Sequence, residues 1–300
     1  MPGATISIMA NEATGTRPVR MPAAAAAGPG DDALSRLLAA GRTLVMGVLN
    51  VTPDSFSDGG RFVAAPAALV QARRLADEGA DIIDIGAEST RPYGGMVAVA
   101  ASEERARIET ILPEVVKLGV PVSIDTMKAE VAAWALSKGA AIVNDVWGLQ
   151  RDPNMAHVVA DHRAPIVVMH NRDKADPAID IIADVSDFFS RSLDIAGRAG
   201  IARERIVLDP GIGFGKTPEQ SIACIARLDA WRGFGLPLLV GASRKRFIAA
   251  ITPSEPMDRL GGSLAAHIAA VANGAAIIRA HDVAPTLQAL AVATAIRRAR

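Results

Sequence analysis

The chain has 300 residues, half of them hydrophobic, with 32 basic and 32 acidic side chains and zero formal net charge. Such a length suits one large α/β unit of about 250 residues plus a tail, and the charge balance gives no global attraction to nucleic acid or an anionic membrane. No apolar run approaches the ~20 residues of a membrane span, and a single cysteine, Cys224, leaves no internal disulfide, as expected of a reducing, cytoplasmic compartment.

In chain order, Arg17 and Arg20 precede a short alanine run at 23–27 that is followed by Gly28-Pro29-Gly30. This pattern fits a flexible, disordered N-terminal extension over 1–33 better than a secretory signal. Residues 34–300 form one domain. Eight short runs rich in β-branched residues, at 44–49, 81–85, 120–124, 141–144, 165–169, 205–208, 236–240 and 275–278, alternate with helix-length segments. Near-continuous apolarity predicts strands buried on both faces, as in a parallel sheet. In the segment 66–78, Ala68, Leu69, Ala72 and Leu75 form a stripe. Pro66 suits its first turn and Gly79 its stop. Ser102 is the expected N-cap of the next helix, with Glu103 and Glu104 in its first turn. Gly119, Gly139 and Gly200 stand where left-handed helix caps are expected. Cys224, between Ala223 and Ile225, reads as core, and His157 and His162 match no metal-ligand spacing.

Eight βα units in succession predict a single (β/α)₈ TIM barrel of the α/β class. The alternative, an open doubly wound sheet, lacks its Gly-x-Gly-x-x-Gly turn after the first strand. In a barrel the chemistry gathers at the carboxyl ends of the strands, and here those ends are polar. They carry Asn50, Asp84, Asp125, Asn144-Asp145, His170-Asn171, Asp209, Ser243-Arg244-Lys245-Arg246, and Arg279 with His281. Taken singly, an Asp or Asn closing a strand more often caps the next helix. His170 alone reads as a satisfied strand-end histidine, and Arg244 to Arg246 as a solvated turn. Convergence on one mouth is what favours a binding site.

The converging residues fall into two sets. Asp125, Asn144, Asp209 and Lys245 could read the donor-rich edge of a flat heterocycle, since a carboxylate meets a guanidine-like edge with two oxygens. Thr90, Arg91, Arg279 and His281 suit an anion, and the region after strands seven and eight is the usual phosphate site of barrels. Asn50 could offer one oxygen to a Mg²⁺ that keeps most of its waters. The stretch from Gly213 to Thr217 imitates the end of a P-loop, but Pro210 stands where that motif needs glycine. It reads instead as a flexible Gly-rich loop carrying Phe214 at the mouth.

These positions, taken together, resemble the bacterial dihydropteroate synthase family from about Val45 onward. The run from Met46 to Gly60 is similar to that family's first signature, and Glu88-Ser89-Thr90-Arg91-Pro92 to its second. Further matches are Ser123-Ile124-Asp125-Thr126, Asn144-Asp145, Met169-His170, Asp209-Pro210-Gly211, Phe214-Gly215-Lys216, Ser243-Arg244-Lys245 and Arg279-Ala280-His281. Asn171-Arg172-Asp173-Lys174 departs from the family's commoner pattern.

The resemblance implies condensation of a (7,8-dihydropterin-6-yl)methyl diphosphate with p-aminobenzoate to give 7,8-dihydropteroate and pyrophosphate. It implies a pterin pocket at Asp125, Asn144, Asp209 and Lys245 and diphosphate contacts at Thr90, Arg279 and His281. Asp125, Asp209, Lys245, Arg279 and His281 would carry the catalysis, with Asn50 as the Mg²⁺ ligand. Loops at 52–60 and 89–95 would build the p-aminobenzoate site, with Phe56, Arg91, Pro92, Phe214 and Ser243 as its candidates. A homodimer is implied as well. Two rivals share the pterin-reading acids: a methyltetrahydrofolate:corrinoid methyltransferase-like barrel, which has no use for Arg279 and His281, and a non-catalytic pterin-binding paralogue, which degenerate loops would favour.

Overall fold

A computed structural model describes residues 32–51, 60–88 and 99–299. In chain order the elements are α1 (Ala33–Leu38), β1 (Leu44–Asn50), α2 (Gly60–Asp77), β2 (Ile82–Gly86), α3 (Ala101–Ile108), α4 (Leu112–Val116), β3 (Val122–Asp125), α5 (Ala129–Ser137), β4 (Ile142–Asp145) and α6 (Met155–Asp161). There follow β5 (Ile166–Met169), α7 (Ile181–Ala199), β6 (Ile206–Asp209), α8 (Pro218–Ala226), β7 (Leu239–Val240), α9 (Arg246–Ile251), α10 (Leu260–Ala272), β8 (Ile277–Ala280) and α11 (Val283–Arg298). The strands pair in the order β6-β5-β4-β3-β2-β1-β8-β7. A parallel bridge between Leu208 and Leu238 joins the two ends, and the Leu208 N–H donates to Pro237 O at 3.0 Å. The expected (β/α)₈ barrel is thereby closed.

Strand alternation sorts the buried side chains into two clusters. Val45, Leu49, Ile83, Ile85, Val143, Ile166 and Val240 point outward and pack with the helices, beside Leu75, Ile108 and Phe189. Leu44, Met46, Ile82, Ile142, Val167, Val207, Leu239 and Ile277 point inward and fill the N-terminal half of the barrel. Leu34 of α1 joins this inner cluster, with Leu37 and Leu38 packed against it. α1 therefore closes the barrel floor. Asp32 caps it by accepting the Ser35 N–H at 2.8 Å. The helix starts inside the stretch expected to be tail, whose residues 1–31 lie outside the described residues.

Several local expectations need correction. α2 begins at Gly60, so the first loop ends sooner than expected and Pro66 sits inside the helix, not in its first turn. α3 begins at Ala101 with Ala100 as its N-cap, and Ser102 is helical. Glu103 and Glu104 do stand in its first turn, as expected, but Glu104 is fully buried and pairs with Lys128 at 2.5 Å. β7 is shorter than its apolar run because Pro237 has no N–H to give a ladder. At the close of α7, Gly200 takes the left-handed φ of 83° expected of it.

Candidate active site

The inward residues of the strand ends make a polar layer above the apolar one, and register decides their contacts. Val48 lies beside Asp84, Asp84 beside Ser123, Gly86 beside Asp125, and Asp125 beside Asn144. Met46 lies beside Arg279. Arg279 donates from Nε to Asp84 Oδ2 at 2.7 Å and from Nη2 to Asp125 Oδ2 at 2.8 Å. Asn144 Nδ2 donates to the same Asp84 oxygen at 3.0 Å.

The electrostatics follow from burial. Asp125 is pushed up to about 7 by desolvation, against Arg279, with Asp84 adding to the rise. Burial likewise raises Asp209, against Lys245 and the Gly211 N–H, which donates to Asp209 Oδ1 at 2.7 Å. Burial lowers Lys245 to about 7, with Asp209 opposing. For Arg279, burial opposes the charge, but Asp84 and Asp125 outweigh it and the net shift is upward. Asp84 Oδ1, Asp125 Oδ1 and Asn144 Oδ1 are buried without a hydrogen-bond partner. Unsatisfied acceptors of this kind cost stability and are suited to a ligand bearing several N–H donors.

Opposite this cluster, Lys245 is the N-cap residue of α9. Its Nζ donates to Ile212 O and lies 4.3 Å from the Phe214 ring centroid, a cation–π contact. His281 follows β8, and Ser243 Oγ accepts its backbone N–H at 3.2 Å. The same hydroxyl is 3.0 Å from His281 Nδ1 and can donate there, leaving the imidazole proton on Nε2. Burial, then Arg279 and Arg244, lower His281 to about 3. It is therefore a neutral donor and not a cation at physiological pH. Asn50 ends β1, half-buried and beside Gly86 in the register.

The described part of the site thus holds Asp125, Asn144 and Arg279 in one bonded cluster, Lys245 against Phe214, His281 against Ser243, and Asp209 on the Gly211 N–H. Phe56, Thr90, Arg91 and Pro92 lie outside the described residues. Some polar strand ends prove structural. Asp145 accepts the N–H groups of Trp147 and Leu149, and Arg244 is held by Asp282 through two hydrogen bonds at 3.0 and 2.5 Å. His170 is a satisfied strand-end histidine, bonded to Lys216 and Asp184. Cys224 is core, its thiol raised to about 11 by burial.

A family model described as pterin binding enzyme matches residues 46–281. The dihydropteroate synthase of Bacillus subtilis is 46% identical over 243 residues, which make up 81% of this chain and 84% of the relative. This chain belongs to the dihydropteroate synthase family. As a member of that family it is an enzyme, a transferase. Among solved structures, the Clostridium difficile dihydropteroate synthase in the presence of pteroic acid has a TM-score of 0.82 at 45% identity, covering 86% of this chain and 97% of the other. The Xanthomonas albilineans synthase with 4-aminobenzoic acid has a TM-score of 0.81 at 43% identity, covering 85% of this chain and 93% of the other.

Asp84, the acceptor shared by Arg279 and Asn144, stands among the converging strand ends but belongs to neither set of binding residues read from the sequence. A signal was present. Within Ile82-Ile83-Asp84-Ile85 the acid has the parity of inward-facing Ile82, and an acid buried there needs a partner.

Proposed function

We propose that this chain joins p-aminobenzoate to a (7,8-dihydropterin-6-yl)methyl diphosphate, forming 7,8-dihydropteroate and pyrophosphate in folate biosynthesis. The observation that carries this reading is the buried acceptor cluster of Asp84, Asp125 and Asn144, with three oxygens lacking partners and Arg279 at its edge. Such a cluster complements a flat ring with N–H donors on one side, and Asp209 supplies a further acceptor. Arg279 and Lys245 bring positive charge to the same mouth, where the diphosphate would lie. Capture of 4-aminobenzoic acid by the Xanthomonas relative supports the amine partner.

In the reaction the arylamine nitrogen attacks the exocyclic methylene carbon. The bond from that carbon to the diphosphate oxygen breaks, and the amine gives up a proton. Positive charge developing on the pterin is tolerated by the carboxylates beneath it. Arg279, Lys245 and the neutral Nε2–H of His281 stabilise the departing oxygens. No protein nucleophile is required. Asn50 would hold Mg²⁺: one neutral amide oxygen fits an ion that keeps most of its waters and takes other ligands from phosphate. No group of three His, Cys, Asp or Glu able to hold a metal occurs among the described residues. When bound, the ion would supply further charge neutralisation to the leaving group.

The same reading places the enzyme in the cytosol as a homodimer acting on small molecules. The lone, buried Cys224 suits a reducing compartment, and no described helix is long and apolar enough to cross a membrane. Ile222 on α8, Ile251 on α9, and Leu260 and Ile268 on α10 are exposed on helices that pack together, which supports a partner copy.

The test is pyrophosphate release measured with both substrates, with and without p-aminobenzoate. Amine-dependent release is expected, and its absence from folded protein sinks the reaction. Asp209→Asn should weaken pterin binding by about 2–4 kcal/mol through loss of a charge-assisted pair. Unchanged affinity in calorimetry would remove Asp209 from the pocket.

A further inference from the structure

We propose that Lys216 is a positioning residue for the amine half of the reaction: it fastens the loop between β6 and α8 to the end of β5 and so sets where Phe214 stands against Lys245. The inference rests on the reaction proposed above, in which Phe214 helps to wall the p-aminobenzoate site.

Lys216 is 1% exposed, among the largest fully buried side chains. Its Nζ donates to His170 Nδ1 at 2.6 Å and to Phe214 O at 3.1 Å. An ammonium has only donors, so His170 Nδ1 must accept and the ring proton sits on Nε2. That Nε2–H faces Asp184 Oδ2 at 2.9 Å, and Arg172 Nη1 donates to the other Asp184 oxygen at 2.7 Å. The chain of donors runs one way from Lys216 through His170 to Asp184, which Arg172 holds from the far side. Burial keeps the His170 ring neutral, lowered to about 4.

The backbone around this chain is equally constrained. The loop was expected to be flexible, yet Gly211, Ile212, Gly213, Gly215 and Lys216 are all buried. Gly211 and Gly215 have φ of 66° and 53°. A Cβ at Gly211 would lie 2.0 Å from His170 O, and one at Gly215 would lie 2.4 Å from Arg172 Cβ. The loop is thus pressed onto 170–172, and Lys216 bonds the two together at the point of approach. On its other side the loop meets Lys245, through Ile212 O and the Phe214 ring. A buried cation is a costly way to fill space, and an apolar side chain would pack as well. What the cation adds is direction, pinning one carbonyl and one imidazole.

The test compares wild type with Lys216→Met, using steady-state kinetics, calorimetry with 6-hydroxymethylpterin, and nitrogen NMR of the His170 ring. We expect the KM for p-aminobenzoate to rise tenfold or more while pterin affinity stays within threefold, and the pure Nε2–H tautomer of His170 to be lost. His170→Gln, which can still accept from Lys216 and donate to Asp184, should keep the KM within threefold. His170→Leu should resemble Lys216→Met. A lower melting temperature with an unchanged KM for p-aminobenzoate, or equal losses for both substrates, overturns the positioning role. If Lys216→Met does not fold, equal KM values in the His170 pair overturn it too. No amine-dependent product from the wild type overturns the reaction and this inference with it, whereas an active wild type with an unaffected variant overturns only the inference.

Discussion

At the floor of the barrel the inward side chains are Leu44, Met46, Ile82, Val207 and Ile277, closed over by Leu34 of α1. Further along the same strands the inward positions hold Asp84, Asp125, Asn144, Asp209 and Arg279. The apolar floor satisfies itself, because its burial is favourable without any partner. The polar layer does not: three of its oxygens are buried and unbonded, and two of its acids are raised by desolvation. One end of the barrel thus supplies stability, while the other gives some up for binding, as functional sites commonly do.

That contrast can be broken most directly at Arg279. Arg279→Met removes the cation shared by Asp84 and Asp125, and stability to urea should fall by about 3–5 kcal/mol together with turnover. Wild-type stability in this variant would mean that the polar layer holds itself together. Next in size, Leu34→Ala should cost about 2–4 kcal/mol by opening the floor, with both KM values unchanged. A shift in either KM would show that the two ends communicate.

The smallest effect is a pH slope. Folded Asp125 binds its proton up to about pH 7, whereas an unfolded aspartate releases it near 3.9. Between those values the unfolded chain holds fewer protons, so this site subtracts stability as pH rises through the window. From pH 5 to 7 wild type should therefore lose stability relative to Asp125→Asn, by about 2 kcal/mol. Parallel unfolding curves across that range would show that Arg279 already keeps Asp125 ionised.

The eight strands were legible because parallel strands buried on both faces read as apolar runs, and each run found its strand within a few residues. The polar ends were legible because charge is conspicuous beside such runs. Less legible were features that depend on distant partners. α1 is only six residues long and acquires its meaning from the floor it covers. Ser102 has the composition of a cap, but α3 starts before it. Lys216 looked like part of a failed P-loop until its loop was seen pressed against His170 and Arg172.

The amino-acid sequence by itself therefore determined the alternation of strands and helices, the closure number of eight and the residue types at the mouth, since these follow from local periodicity and composition. Tertiary structure alone decided which of those residues act together. Arg279 and Asp84 are 195 positions apart, and Lys216 and His170 are 46 apart. Pairing across such distances is set by strand register and barrel closure, which no local pattern encodes.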